Sequence, residues 1–136
     1  MTDDIAADLE AIRQLKARYF RFLDTKQWED WGTVFTTGVR MEVPEAAVEL
    51  DGRDAVVQGV SAALEGARTV HHGHMPEITV TGPGAAEGIW AMEDYVEWPG
   101  GVGMRGYGHY HERYEIEDGQ WRIAWMRLER LRIDPL

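Results

Sequence analysis

Apolar residues recur at three- and four-residue steps near the start of the chain, at Ile5, Leu9, Ile12, Leu15, Tyr19 and Leu23. That spacing marks one face of an amphipathic helix of about five turns. Thr2, Asp3 and Asp4 supply an acidic, cap-like start. Trp28, Trp31 and Phe35 repeat the helical step, so a second short helix is expected from Lys26 to Phe35, closed by Gly38. A short strand follows at Val39 to Val43 and is broken by Pro44. A third helix fits Arg53 to Leu64, with Gly66 just past its end. The rest reads as strands. One covers Thr69 to Thr81, with Pro76 marking a bulge or break. Gly82-Pro83-Gly84 turns into a long strand, Ala85 to Trp98, and Pro99-Gly100-Gly101 turns again. Tyr107 to Ile116 and Trp121 to Ile133 flank the hairpin signal Asp118-Gly119. Helices first and strands afterwards predict an α+β fold, a curved mixed or antiparallel sheet wrapped on helices as a cone with an open mouth.

The length of 136 residues suits a single domain, 1–136, with enough chain to bury a core. No repeat, linker or low-complexity tract divides it. The absence of cysteine excludes disulfides, thiolate nucleophiles and cysteine-bound zinc. A net charge of −10 argues against nucleic acid and anionic membranes as partners, but is neutral toward a small uncharged substrate. No stretch approaches the ~20 apolar residues of a membrane span. Met1 to Asp8 lacks the basic start of a secretion signal, so a cytoplasmic location is expected.

Charges stand where apolar side chains belong. Along Trp90 to Trp98, one face carries Trp90, Met92, Asp94, Val96 and Trp98; the other carries Ala91, Glu93, Tyr95 and Glu97. The first face should meet the core, which makes Asp94 a lone inward carboxylate. Such a group needs a partner or a proton, so it is either half of a structural ion pair or a functional acid. Arg130 shares a face with Ala124, Met126 and Leu128 near the end of the last strand. It could pair with Asp94, hold a substrate oxygen, or lie in solvent at a fraying end. Trp90, Met92, Trp98, Met126 and Leu128 are candidates for the wall of a substrate pocket. Trp121, Ile123 and Trp125 form an opposite face too apolar for water, a candidate subunit interface.

The run Val70-His71-His72-Gly73-His74-Met75 concentrates three of the five histidines. Alternation along a strand keeps His71 and His72 off the same face, which works against one tight metal site. The other use of a histidine here is general acid–base chemistry. His109 and His111 share a face with Tyr107, either inside the pocket or outside. Tyr19 on the helical stripe reads as a core aromatic, and Asp24 as a capping residue, when each is taken alone.

Three segments carry a resemblance. They are Ile12 through Asp24 followed by Trp28; His71-His72-Gly73-His74-Met75-Pro76-Glu77-Ile78-Thr79-Val80 running on to Asp94; and Tyr110, Tyr114-Glu115 and Asp118-Gly119-Gln120-Trp121 ending at Arg130. The chain resembles the SnoaL-like family of the nuclear transport factor 2-like superfamily, and within it the bile acid 7α-dehydratase and scytalone dehydratase branch. The resemblance implies the cone-shaped fold. It places the functional positions of that branch on Tyr19, Asp24, His71, Asp94 and Arg130. It implies no cofactor, a small apolar substrate and a homotrimer, with a dimer as the alternative. Near Val43 and Met104, where relatives can carry further pocket tyrosines, this chain has none.

These five residues suit removal of water from a hydroxy-carbonyl compound. His71 would be the base, Asp24 or Asp94 would hold its tautomer, Tyr19 would donate to the developing oxyanion, and Arg130 would fix Asp94 or a substrate oxygen. An apolar lining suits a steroid- or polyketide-like skeleton. An isomerase or cyclase on the same fold shares the proton abstraction, and a non-catalytic ligand-binding protein is the alternative of another class.

Overall fold

The computed structural model describes residues 4–136, so Thr2 and Asp3 lie outside the described residues. Helix α1 (Ile5–Asp24) forms on the predicted stripe and is capped by Asp4, whose carboxylate accepts the Ala7 N–H at 3.0 Å. Its buried face is Ile12, Leu15, Lys16, Tyr19 and Leu23. Helix α2 (Trp28–Gly32) is shorter than its apolar spacing suggested. Phe35 does not continue it but opens strand β1 (Phe35–Val43), where it pairs with Ile123. The β-branched residues Val34, Thr36, Thr37 and Val39 favour extended backbone there. Gly38 is not a terminator; it sits in the strand where the register with the partner shifts.

A 3-10 turn (Pro44–Ala46) leads to a short edge strand β2 (Val48–Asp51), which periodicity did not reveal, and then to helix α3 (Arg53–Ala63). Four long strands complete the chain: β3 (Arg68–Gly82), β4 (Ala85–Glu97), β5 (Gly103–Glu117) and β6 (Gln120–Pro135). The six strands lie in the order β2-β1-β6-β5-β4-β3. All neighbours are antiparallel except β1 and β6, which run parallel, so the sheet is mixed. The helices pack on one face of this sheet, giving the α+β cone.

Bulges decide which side chains face inward. At Met75-Pro76 the β3–β4 register shifts, as Pro76 foretold, and Met75 is flipped out with φ 33°. A second bulge falls at Ala124: Arg113 pairs with Trp125, but the next residue, Tyr114, pairs with Ile123. This corrects the expected subunit face at Trp121, Ile123 and Trp125. The extra residue reverses the alternation, so Trp121 and Ile123 turn into the core and only Trp125 remains on the outer side. No helix among the described residues is long and apolar enough to cross a membrane.

Candidate active site

Asp24 closes α1, and the chain geometry there aims its carboxylate at β3. Oδ1 lies 2.7 Å from His71 Nδ1, while Oδ2 accepts the His71 backbone N–H at 2.8 Å. The Thr69 hydroxyl also donates to Oδ1, at 2.9 Å. An ionised carboxylate only accepts, so Nδ1 carries the ring proton and Nε2 presents its lone pair on the opposite side. The partner of His71 left open between two carboxylates is therefore Asp24 at Nδ1.

His71 and Asp94 stand directly opposite each other on β3 and β4, and Nε2 is 3.8 Å from Asp94 Oδ2. That is too long for a hydrogen bond, so Nε2 is left without a protein partner at that distance. Asp94 is almost fully buried. Arg130 Nη2 donates to its Oδ2 at 2.5 Å, and Arg130 Nη1 reaches Glu45 at 3.0 Å. Burial works against the charge on Arg130, but Asp94 and Glu45 outweigh it and hold the guanidinium more firmly ionised than usual. The fork is one-pronged: Asp94 Oδ1 and Arg130 Nε have no hydrogen-bond partner among the described residues. Gly106, directly opposite Asp94 on β5, gives the pair its room, since a Cβ there would strike both of those atoms.

Tyr19 brings its hydroxyl to the same place from α1. It donates to the Met126 thioether at 3.6 Å, a weak acceptor. Burial, reinforced by the Glu112 charge, raises the Tyr19 pKa far above the ordinary phenol value, so the hydroxyl is a proton donor at every physiological pH. Tyr19, His71, Asp94, Tyr110 and Arg130 all border one cavity of about 410 Å³. Its remaining wall comes largely from apolar side chains of α1, β1, β2, α3 and the inner sheet face. Asp24 stays behind His71 rather than on the wall.

A model of the SnoaL-like domain matches residues 4–127. The chain belongs to the SnoaL-like domain family. Among curated relatives of this family member is a protein of Gibberella zeae named "Probable cyclase FGR4", 27% identical over 88% of this chain and 89% of its own. A hexachlorocyclohexane dehydrochlorinase (LinA, type 2) has the same fold, with a TM-score of 0.87 at 17% identity over 96% of this chain and 90% of that one. So does a scytalone dehydratase-like protein of Novosphingobium aromaticivorans, with a TM-score of 0.88 at 21% identity over 98% and 91%.

Other sequence expectations for this SnoaL-like domain divide. Trp98, Met126 and Leu128 line the cavity, and so do Val43 and Met104, at the positions without tyrosine. Trp90 and Met92 do not, which corrects their assignment to the substrate wall. Phe20 of α1 and Trp90 both crowd Gly73, so the helix covers the first half of β4 and leaves only its end, from Asp94 onward, open to the cavity. The Trp90 indole instead donates to the Tyr114 hydroxyl at 2.9 Å. His72, His74, His109 and His111 lie on the outer sheet face, away from the cavity. Among the described residues no three metal-ligating side chains gather.

Sequence reasoning missed Tyr110 as a cavity residue and missed Lys16 and Glu112 altogether. Both charges left a signal. Lys16 falls on the apolar stripe of α1, four residues after Ile12, and Glu112 alternates with the inward Tyr110 and Tyr114.

Proposed function

We propose that this protein is a cofactor-independent dehydratase-like lyase acting on an apolar polycyclic or aromatic hydroxy-carbonyl compound. The observation that carries the reading is the tautomer lock: Asp24 pins Nδ1–H, leaving Nε2 of His71 as a base at a mostly apolar cavity that also holds a protonated Tyr19. His71 Nε2 takes the proton from the carbon beside the carbonyl, and the C–H electron pair passes into an enolate. Tyr19 donates to that enolate oxygen. The enolate collapses to a carbon–carbon double bond, and the C–O bond of the adjacent carbon breaks. The hydroxide leaves with the proton held by His71, so water departs and the base is restored. The Asp94 charge, held by Arg130, stabilises the imidazolium between the two proton transfers. The fold shared with a scytalone dehydratase-like protein and a dehydrochlorinase is consistent with elimination chemistry.

A cyclase or isomerase reading is favoured by the relative named as a cyclase. It uses the same enolate and differs in where the electron pair goes next. The experiment that separates the two is incubation of wild type and His71→Ala with β-hydroxy ketones and their vinylogues, the 7-hydroxy-3-oxo-4-ene steroids, whose C6 proton is acidified through the conjugated enone, followed by mass spectrometry. Loss of water with wild type alone supports the lyase. Rearrangement at unchanged mass, again dependent on His71, replaces it with the isomerase or cyclase.

A further inference from the structure

Lys16 is a charged residue with no exposure at all, in the middle of the core. Its Nζ lies 2.6 Å from Glu112 Oε2, itself buried. The same Nζ lies 3.7 Å from the centroid of the Tyr19 ring and 3.7 Å from that of Tyr110. One ammonium is thus clasped between two phenols, both of which border the cavity. Glu112 is satisfied on its other oxygen by the Tyr114 hydroxyl at 2.7 Å, which accepts in turn from Trp90. A hydrophobic pair of similar volume would fill this space at no desolvation cost. Packing alone therefore gives no reason for two buried charges beneath two cavity phenols.

The chemistry of the arrangement does give one. A cation on the face of a phenol ring draws electron density from it, which favours the phenolate and makes the neutral O–H a stronger donor. In a water-excluded site this effect is strengthened. Glu112 balances the charge, and burial keeps both hydroxyls protonated, Tyr110 even well above the ordinary phenol value. The two rings meet edge to face, with centroids 5.8 Å apart, and both border the same cavity.

We propose that Tyr110 is a second hydrogen-bond donor beside Tyr19 to a single substrate oxyanion, and that Lys16 is a positioning residue that strengthens both donors through their ring faces. This rests on the reading of the cavity as a site where an enolate forms. It adds to that reading a specificity: the oxygen held is one that becomes anionic, and two phenols share it.

The test uses 2-naphthol, whose fluorescence distinguishes the bound anion from the bound neutral form. Wild type, Tyr110→Phe, Tyr19→Phe and the double variant Lys16→Met/Glu112→Gln are compared at one pH. The double variant removes both buried charges together, and circular dichroism checks its fold. Wild type is expected to hold the naphtholate anion in preference to the neutral form. Tyr110→Phe is expected to lower the anion-to-neutral ratio about 10-fold, the scale of one hydrogen bond to a charged group, and the double variant to lower it by less, because the loss of the Glu112 charge offsets part of the loss of the Lys16 ammonium. An unchanged ratio in Tyr110→Phe overturns Tyr110 as a donor. An unchanged ratio in a folded double variant overturns Lys16 as a positioning residue. A wild type that holds naphthol with no preference for the anion overturns both. Because this readout needs no turnover, a protein that passes it yet removes no water from the hydroxy ketones refutes the lyase reading and leaves the donor pair standing.

Discussion

Asp24 grips His71 twice, through the ring at Nδ1 and through the backbone N–H of the same residue, with a different carboxylate oxygen for each. The contact therefore fixes where the ring stands as well as which nitrogen carries its proton. Asp24→Asn keeps the size and one acceptor but offers an amide that can donate to Nδ1, which stabilises the wrong tautomer. The expected result is a fall in kcat on a hydroxy-ketone substrate on the order of 10³–10⁴-fold, as when a triad carboxylate becomes an amide. Thermal unfolding should shift little by comparison, and a shift large enough to explain the lost activity would count against this role.

Lys16 and Glu112 should show strong energetic coupling. Either Lys16→Met or Glu112→Gln alone leaves its partner as an uncompensated buried charge, a loss of about 3–5 kcal/mol. Lys16→Met/Glu112→Gln together should cost far less than the sum. Urea unfolding of the four proteins measures the cycle, and additive losses would show that the pair is not coupled.

The same pair sets a pH dependence. Burial lowers the Lys16 pKa from its usual 10.5 to about 8, against the raising effect of Glu112. Between those values the unfolded chain binds the proton and the folded chain does not, so unfolding takes up protons there. Lys16's contribution to stability thus increases as pH rises from about 8 toward 10.5, and its burial cost is full below that window. The unfolding free energy of wild type minus that of Lys16→Met should increase across it. A flat difference would mean that Lys16 titrates alike in both states.

Gly106 is the most constrained position in the site. A Cβ there collides with Asp94 Oδ1 and Arg130 Nε, atoms of the two side chains that form the ion pair through Oδ2 and Nη2. Gly106→Ala should lower stability by about 1–3 kcal/mol, the usual overpacking cost. It should also lower activity disproportionately, because Asp94 is pushed toward His71. Gly82→Ala, where the added methyl meets nothing, is the matched control and should do neither.

Arg130 cannot be replaced by lysine without consequence. It spans Asp94 and Glu45 with two nitrogens of one guanidinium, a reach that a single ammonium lacks. Arg130→Lys should raise KM and lower kcat, and Glu45→Gln, which loses only the outer contact, should have a smaller effect on both.

The sequence by itself determined α1, α3, the hairpin at Asp118-Gly119 and the inward placement of Asp94. Each of these depends only on neighbours along the chain. The apolar stripe of α1 is a 3.6-residue period, and β4 alternates without a bulge, so parity read from Trp90 holds as far as Asp94. The same spacing singled out Arg130, the resemblance added Tyr19, Asp24 and His71, and the fold brings these four together with Asp94. The tertiary structure alone decided the rest. The extra residue at Ala124 reversed the face of Trp121 and Ile123, and whether a strand holds an extra residue depends on its partner strand. The edge strand β2 has four residues, too few for a period to show. Lys16 and Glu112 lie 96 residues apart, and only the docking of α1 on β5 places one charge against the other beneath two phenols. Periodicity is a local property of the chain, whereas the pairing of buried charges and the covering of a strand are properties of how its elements meet.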